Sequence, residues 1–311
     1  MPVTSPSPSP NRLLAAVLLI GVFVPAPGLH AQGGLDRHPQ VVPDLHSIKV
    51  VDVFNLFPNV GALIYLAEPN DFGLPPGIVA TCTGTLIHER VFLVAGHCTA
   101  PTAGGLLPFI KAFVTFSPNA LDRSTWRPVA DFAFHPSLPP CPPPEGCTFE
   151  GLDPGILDIG LVFLNRPVRN IAPAKLARPG TLETDRAAGA LMIVPGYGFL
   201  DSVPGGPNGG MAPPTSEWDG WRRIKISRFQ NVVDDEWASW SVPGIACYGD
   251  SGAPTFFSHD PFGSRSHDRI VAVVSDGGWI CFSRDDRARV DTIAAQDWIT
   301  RTIAQVLSRR P

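Results

Sequence analysis

Blocks of like charge, long apolar runs and metal-type cysteine spacings are all missing from this 311-residue sequence, and each absence removes a class of function. Lys and Arg number 24 against 28 Asp and Glu, a formal net charge of −4 with no concentrated stretch of either sign. Such a chain has no broad electrostatic footprint for nucleic acid or anionic lipid, so neither partner is expected. No two of the six cysteines have C-x-x-C spacing, only His97 lies beside a cysteine, and no EF-hand-like run occurs, so neither a metal nor a cofactor is expected. No regular repeat is visible, which disfavours a propeller or solenoid. Gly (30) and Pro (35) are plentiful but stay below the roughly 25–30% that marks a low-complexity chain. A loop-rich globular protein is expected.

The amino terminus reads as an export signal. Arg12 supplies a positive residue, Leu13 to Val24 is an apolar core, and Pro25 to Ala31 ends in a small residue suited to cleavage. The apolar run is shorter than the roughly 20 residues needed to span a bilayer. Residues 1–31 are therefore expected to be removed, leaving a secreted, extracellular or periplasmic, chain from Gln32 with no stable membrane insertion. Export places Cys82, Cys98, Cys141, Cys147, Cys247 and Cys281 in an oxidising compartment, where an even count points to disulfides. Their connectivity stays open from the count alone.

Short apolar and β-branched runs recur along the mature chain: Val60 to Ala67, Thr83 to Ile87, Val91 to Ala95, Ala112 to Phe116, Ile159 to Leu164, Leu191 to Val194, Arg223 to Ile226, Pro254 to Phe257 and Ile270 to Ser275. Turn-rich segments separate them, a pattern of an all-β barrel or sandwich. The loop Asp201 to Thr215 is rich in Gly and Pro and is an expected nicking site. After Asp291, read as an N-cap, apolar residues at 293, 294, 298, 299, 303, 306 and 307 follow helical spacing.

Three segments carry chemistry. Val94 to Cys98 (VAGHC) places a histidine after an apolar strand. Asp158 immediately precedes the apolar run Ile159 to Phe163. Cys247 to Pro254 (CYGDSGAP) sets Ser251 between an acid and a glycine. A hydroxyl, an imidazole to take its proton and a carboxylate to orient that imidazole are the parts of an activated serine. Gly249 adds bare backbone that can aim N–H groups at an oxyanion.

On these residues the sequence resembles the chymotrypsin/trypsin family of serine proteases. Ala95-Gly96-His97-Cys98, Asp158-Ile159 and Gly249-Asp250-Ser251-Gly252-Ala253-Pro254 match its motifs in the order His, Asp, Ser. Cys82 to Ile87, Pro195-Gly196-Tyr197-Gly198, Val274-Ser275 and Ala288-Arg289-Val290 extend the likeness over about residues 56 to 308. The resemblance implies an all-β fold of two six-stranded antiparallel barrels, about 56–170 and 185–290, with a C-terminal helix at about 291–308. Residues 32–55 would be an arm or short propeptide. It implies Ser251 as nucleophile, His97 as base then acid, Asp158 as orienting carboxylate, and the N–H groups of Gly249 and Ser251 as oxyanion hole. Protein or peptide would be the substrate, and a monomer is expected.

The resemblance also implies Cys82–Cys98 and Cys247–Cys281 disulfides, which leaves Cys141 and Cys147 to each other. The S1 position six before the nucleophile is Ile245, so a Lys or Arg preference through an acid there is not supported. Ala246, Ser275, Gly277 and Gly278 would line a rather open pocket. Asp276 replaces the usual aromatic and Asp285 approaches the wall, each either favouring a basic side chain or standing as a solvated surface acid. No Ile-Val-Gly-Gly occurs; Lys49-Val50-Val51-Asp52 is the substitute where cleavage would free an amino group to pair with Asp250.

Other functions compete less well. An α/β-hydrolase esterase places its serine before the acid and histidine, opposite to this order. A non-catalytic homologue acting as a binding module is the alternative, although such proteins lose a triad residue or an oxyanion-hole glycine and none is lost here.

Overall fold

The computed structural model describes residues 49–70, 76–100, 108–139, 155–199, 218–240, 246–257, 269–277 and 285–309, with the short pairs 203–204 and 211–212. Its strands, in chain order, are β1 (Val50–Val51), β2 (Val60–Ala67), β3 (Gly77–His88), β4 (Val91–Val94), β5 (Ile110–Thr115), β6 (Arg127–Phe134), β7 (Gly160–Leu164), β8 (Lys175–Leu176), β9 (Leu191–Gly196), β10 (Val203–Pro204), β11 (Met211–Ala212), β12 (Arg223–Val232), β13 (Trp237–Trp240), β14 (Pro254–Phe257), β15 (Arg269–Gly277) and β16 (Asp285–Arg289). Among the described residues one α-helix, α1 (Ile293–Ser308), follows the last strand.

Strands β2-β3-β4-β7-β6-β5 close into one barrel. The second runs β12-β13-β16-β15-β14-β9 and closes through the β9–β12 pair, with β1 and β8 added at its margins. Both rings are antiparallel and six-stranded, as the resemblance implied. The first barrel forms where β-branched and apolar residues dominate: β2, β4 and β7 are buried almost throughout, which is the environment such side chains favour.

The second barrel is built less predictably. Along β12 the inward residues are Arg223, Lys225, Ser227 and Phe229, while Ile224 and Ile226 are only half-buried. Strand β16 has the sequence DDRAR, yet all five residues are buried. Its charges are answered in place: Arg287 pairs with Asp285 at 3.0 Å, the Asp286 carboxylate accepts from the Ser239 hydroxyl, and Arg289 binds Asp291 and Glu183. A buried charge is tolerated only with such partners.

Residues 50–57 bind to both barrels. Val50 and Val51 pair with Ile224 and Arg223 of β12, and Asp52, fully buried, makes an ion pair with the equally buried Arg222 at 2.8 Å. The same carboxylate accepts from the N–H groups of Leu56 and Phe57. Arg222 also donates to the Val60 carbonyl at the start of β2 and to the Tyr197 hydroxyl. That hydroxyl donates in turn to the Ser117 carbonyl, so one buried polar network spans the barrel seam. Burial pushes the Tyr197 pKa up to about 12 against the lowering influence of Arg222.

The N-cap of α1 is Thr292, whose hydroxyl accepts from the Ala295 N–H. Asp291, the expected cap, is instead buried and spent on Arg289 and the Leu182 N–H. The helix turns Ala295 and Ile299 inward and leaves Ile293 exposed. Trp298 meets the ring of His135 edge-on, 5.4 Å between centroids, so the last element of the chain braces a loop of the first barrel. No helix among the described residues is long and apolar enough to cross a membrane.

Candidate active site

His97 lies in a single 3-10 turn, Gly96–Cys98, entered directly from β4. Three features hold it there. Cys98 is disulfide-bonded to Cys82 of β3. Tyr65 of β2 donates its hydroxyl to the Cys98 carbonyl at 2.7 Å. The third is Asp158, which accepts the His97 backbone N–H on Oδ1 at 2.7 Å and faces His97 Nδ1 with Oδ2 at 2.8 Å. A carboxylate so placed accepts a hydrogen bond from Nδ1–H, which fixes the tautomer and leaves Nε2 as the basic nitrogen.

Asp158 is completely buried while the His97 side chain is 24% exposed. Ser275 of β15 donates its hydroxyl to Asp158 Oδ2, a bond from the second barrel to the first. Burial alone would raise the Asp158 pKa, but the charge and ring N–H of His97, the Ser275 hydroxyl and the His97 backbone N–H together hold it below the usual carboxylate range. Gly96 is pressed against the same carboxylate: a Cβ there would lie 2.9 Å from Asp158 Oδ1 and 3.0 Å from the Ile159 carbonyl. Behind Asp158, the His135 N–H donates to the Ile159 carbonyl and Ser137 Oγ accepts from the Leu157 N–H, both at 2.9 Å. The loop braced by α1 is therefore the support of the acid. Burial lowers the His135 pKa.

Ser251 occupies a turn between β13 and β14. Gly249 and Gly252 flank it at φ of 89° and 83°, left-handed backbone that glycine adopts at little cost. A Cβ on Gly252 would collide with the Thr83 carbonyl and approach the Ala95 nitrogen to 2.6 Å, so the Ser251 turn lies flat against the segment that carries His97. Cys98 Sγ is 3.8 Å from the Ser251 carbonyl oxygen. The N–H groups of Gly249 and Ser251, and the Ser251 hydroxyl, have no hydrogen-bond partner among the described residues. Two free backbone donors are what an oxyanion site needs.

Thr83, quoted above only within a longer motif, proves central to this turn. It is fully buried. Its N–H donates to the Ser251 carbonyl at 2.9 Å, its hydroxyl donates to the Gly249 carbonyl at 2.7 Å and accepts the Tyr197 N–H at 2.9 Å. A threonine in an apolar strand is ordinarily unremarked, and no sequence signal separated it from Thr85.

Of the expected pocket residues, Ala246 and Ser275 are buried. Asp285 lies beside Ala246, accepting its N–H at 3.3 Å on each oxygen. It is a buried, Arg287-paired acid and not a solvated one. Asp276 and Gly277 are residues of β15, opposite Asp286 and Asp285 of β16. Cys247 is disulfide-bonded. Ile245, Gly278, Cys141, Cys147, Cys281 and residues 1–48 lie outside the described residues.

No protein-family model and no curated protein matches the chain. Solved structures do. HL collagenase superposes with a TM-score of 0.56 over 82% of this chain and 97% of its own, at 16% identity. GrC gives 0.55 over 82% and 98%, at 17% identity, and human heparin binding protein 0.53 over 81% and 94%, at 16%. The chain is thus similar to these proteins in fold, the two-barrel chymotrypsin fold.

Proposed function

We propose that this chain is a secreted serine endopeptidase. The observation that carries the reading is the fully buried Asp158 bonded to both the backbone and Nδ1 of His97, beside a glycine-framed serine. In this reading Ser251 Oγ attacks a peptide carbonyl as His97 Nε2 takes its proton, and Asp158 stabilises the imidazolium through Nδ1. The N–H groups of Gly249 and Ser251 receive the oxyanion. The imidazolium then protonates the leaving amine, and water, activated by the same imidazole, releases the acyl group from Ser251. The charge of Asp285 is answered by Arg287, which favours an apolar or broad side-chain preference over a basic one.

A binding module is the second reading, prompted by the likeness to a protein named for binding heparin. A net charge of −4 disfavours a polyanion as its ligand. Incubation of the secreted protein with an unfolded protein substrate separates the two. Peptide release that disappears in Ser251→Ala supports the peptidase; equal release, or none from the wild type, removes it.

A further inference from the structure

The acid next to the nucleophile already has a cationic partner. Asp250 is fully buried, and the Lys225 ammonium, also fully buried, is bonded to its Oδ2. The same oxygen accepts the Cys247 N–H at 3.0 Å, and Oδ1 accepts the Gly198 N–H at 2.9 Å. The two glycines of the Gly-Tyr-Gly segment make room for this: a Cβ on Gly196 or Gly198 would collide with the Asp250 carboxylate. Val50, whose freed amino group was expected to serve here, is instead a half-exposed residue paired with Ile224 in β1. Lys225 reaches Asp250 from the inward face of β12, where an amphipathic reading places no lysine.

We infer that Lys225 is an internal substitute for a cleavage-generated amino terminus: its ammonium holds Asp250, and through it the 247–253 turn, in the working conformation without processing before Val50. This rests on the peptidase reading for its consequence, though not for its geometry. The turn hangs from Asp250 at both ends, because the Asp250 N–H donates to the Cys247 carbonyl and the Asp250 carbonyl accepts from Ala253. A buried carboxylate stripped of the ammonium bonded to it is costly, and the turn can relieve that cost by swinging Asp250 towards water. Doing so would dismantle the pair of free N–H groups at Gly249 and Ser251. Lys225 is thus a positioning residue that touches no substrate.

The test uses the full secreted chain carrying Lys49→Gln, with its amino terminus read by mass spectrometry. The rate of Ser251 modification by a fluorophosphonate is expected to match that of the wild type while residues upstream of Val50 are still attached. Lys225→Met, of similar volume but uncharged, is expected to lower that rate on the order of 10²-fold or more. In Lys225→Ala, added n-butylammonium is expected to restore part of the rate and n-butanol none, a distinction a purely space-filling role would not produce. Hydrogen exchange reads the same device without catalysis: the Asp250, Gly252 and Ala253 amides should lose protection in Lys225→Met. Modification that appears only after cleavage before Val50 overturns the inference, as does Lys225→Met with wild-type rate and protection. If no form is modified at Ser251 but the amides respond to Lys225 as described, the peptidase reading fails and the inference about the turn stands.

Discussion

Two threonines on one face of β3 provide a paired test of how the Ser251 turn is held. Thr83 and Thr85 are both buried, but their hydroxyls are in opposite situations. That of Thr83 satisfies the Gly249 carbonyl and the Tyr197 N–H, whereas that of Thr85 has no hydrogen-bond partner among the described residues. Replacement by valine conserves shape and removes only the hydroxyl. In Thr83→Val two buried backbone groups lose their partners, at about 1–3 kcal/mol each. Allowing for relaxation, the variant should lose roughly 3 kcal/mol of stability. Thr85→Val removes a hydroxyl that gains nothing from burial, so stability should be unchanged or rise by up to about 1 kcal/mol. Urea unfolding at constant m-value measures both. Under conditions where each variant is folded, release of the Gly249 carbonyl in Thr83→Val should also slow Ser251 modification on the order of 10²-fold, the scale of a lost oxyanion donor. Two variants equal within about 0.5 kcal/mol would refute the reasoning, since that is the scatter of substitutions without a specific mechanism.

Other expectations follow from single contacts. Asp52→Ala leaves the fully buried Arg222 without its carboxylate and should cost about 3–5 kcal/mol in denaturant unfolding; a cost under about 1 kcal/mol would show that residues 50–57 are not docked across the seam. Gly252→Ala must place a Cβ against the Thr83 carbonyl and Ala95 nitrogen at φ 83°, so its melting temperature should fall well below that of the wild type, and an unchanged value would contradict the packing of turn against strand. Asp158 has a pKa held below its ordinary 3.8, so it contributes stability that is complete above that value and is lost as pH falls through the lower folded value. The stability gap between wild type and Asp158→Asn should therefore shrink as pH falls below that ordinary value; a gap that widens over that acid range would reverse the sign of the argument.

How much of this was legible follows from where the polar groups went. Where burial coincides with apolar sequence, strands were read with their observed bounds, as at Val60–Ala67 and Pro254–Phe257. Strand β16 was missed because hydrophobic periodicity cannot register DDRAR as core, and only the ion pairs that neutralise it make it so. In β12 the polar residues face inward, which hid Lys225 behind an ordinary alternating pattern. Thr292 displaced Asp291 as the helix cap because Asp291 was drawn into the Arg289 network. The candidate site residues could be named because their signals are short-range in sequence: His97 beside Cys98, Asp158 two residues ahead of β7, and Ser251 between Gly249 and Gly252. What could not be read were the long-range contacts that hold them, Thr83 to Gly249 and Lys225 to Asp250.

The claim on which the rest depends is that His97, oriented by Asp158, activates Ser251. Fluorophosphonate treatment of the folded, secreted protein followed by mass spectrometry of its peptides tests it directly. The account predicts modification of Ser251 and a fall of roughly 10⁴-fold in its rate in His97→Ala, the scale on which members of such a unit act together. Absence of modification at Ser251 in the wild type, or an equal rate in His97→Ala, would contradict it.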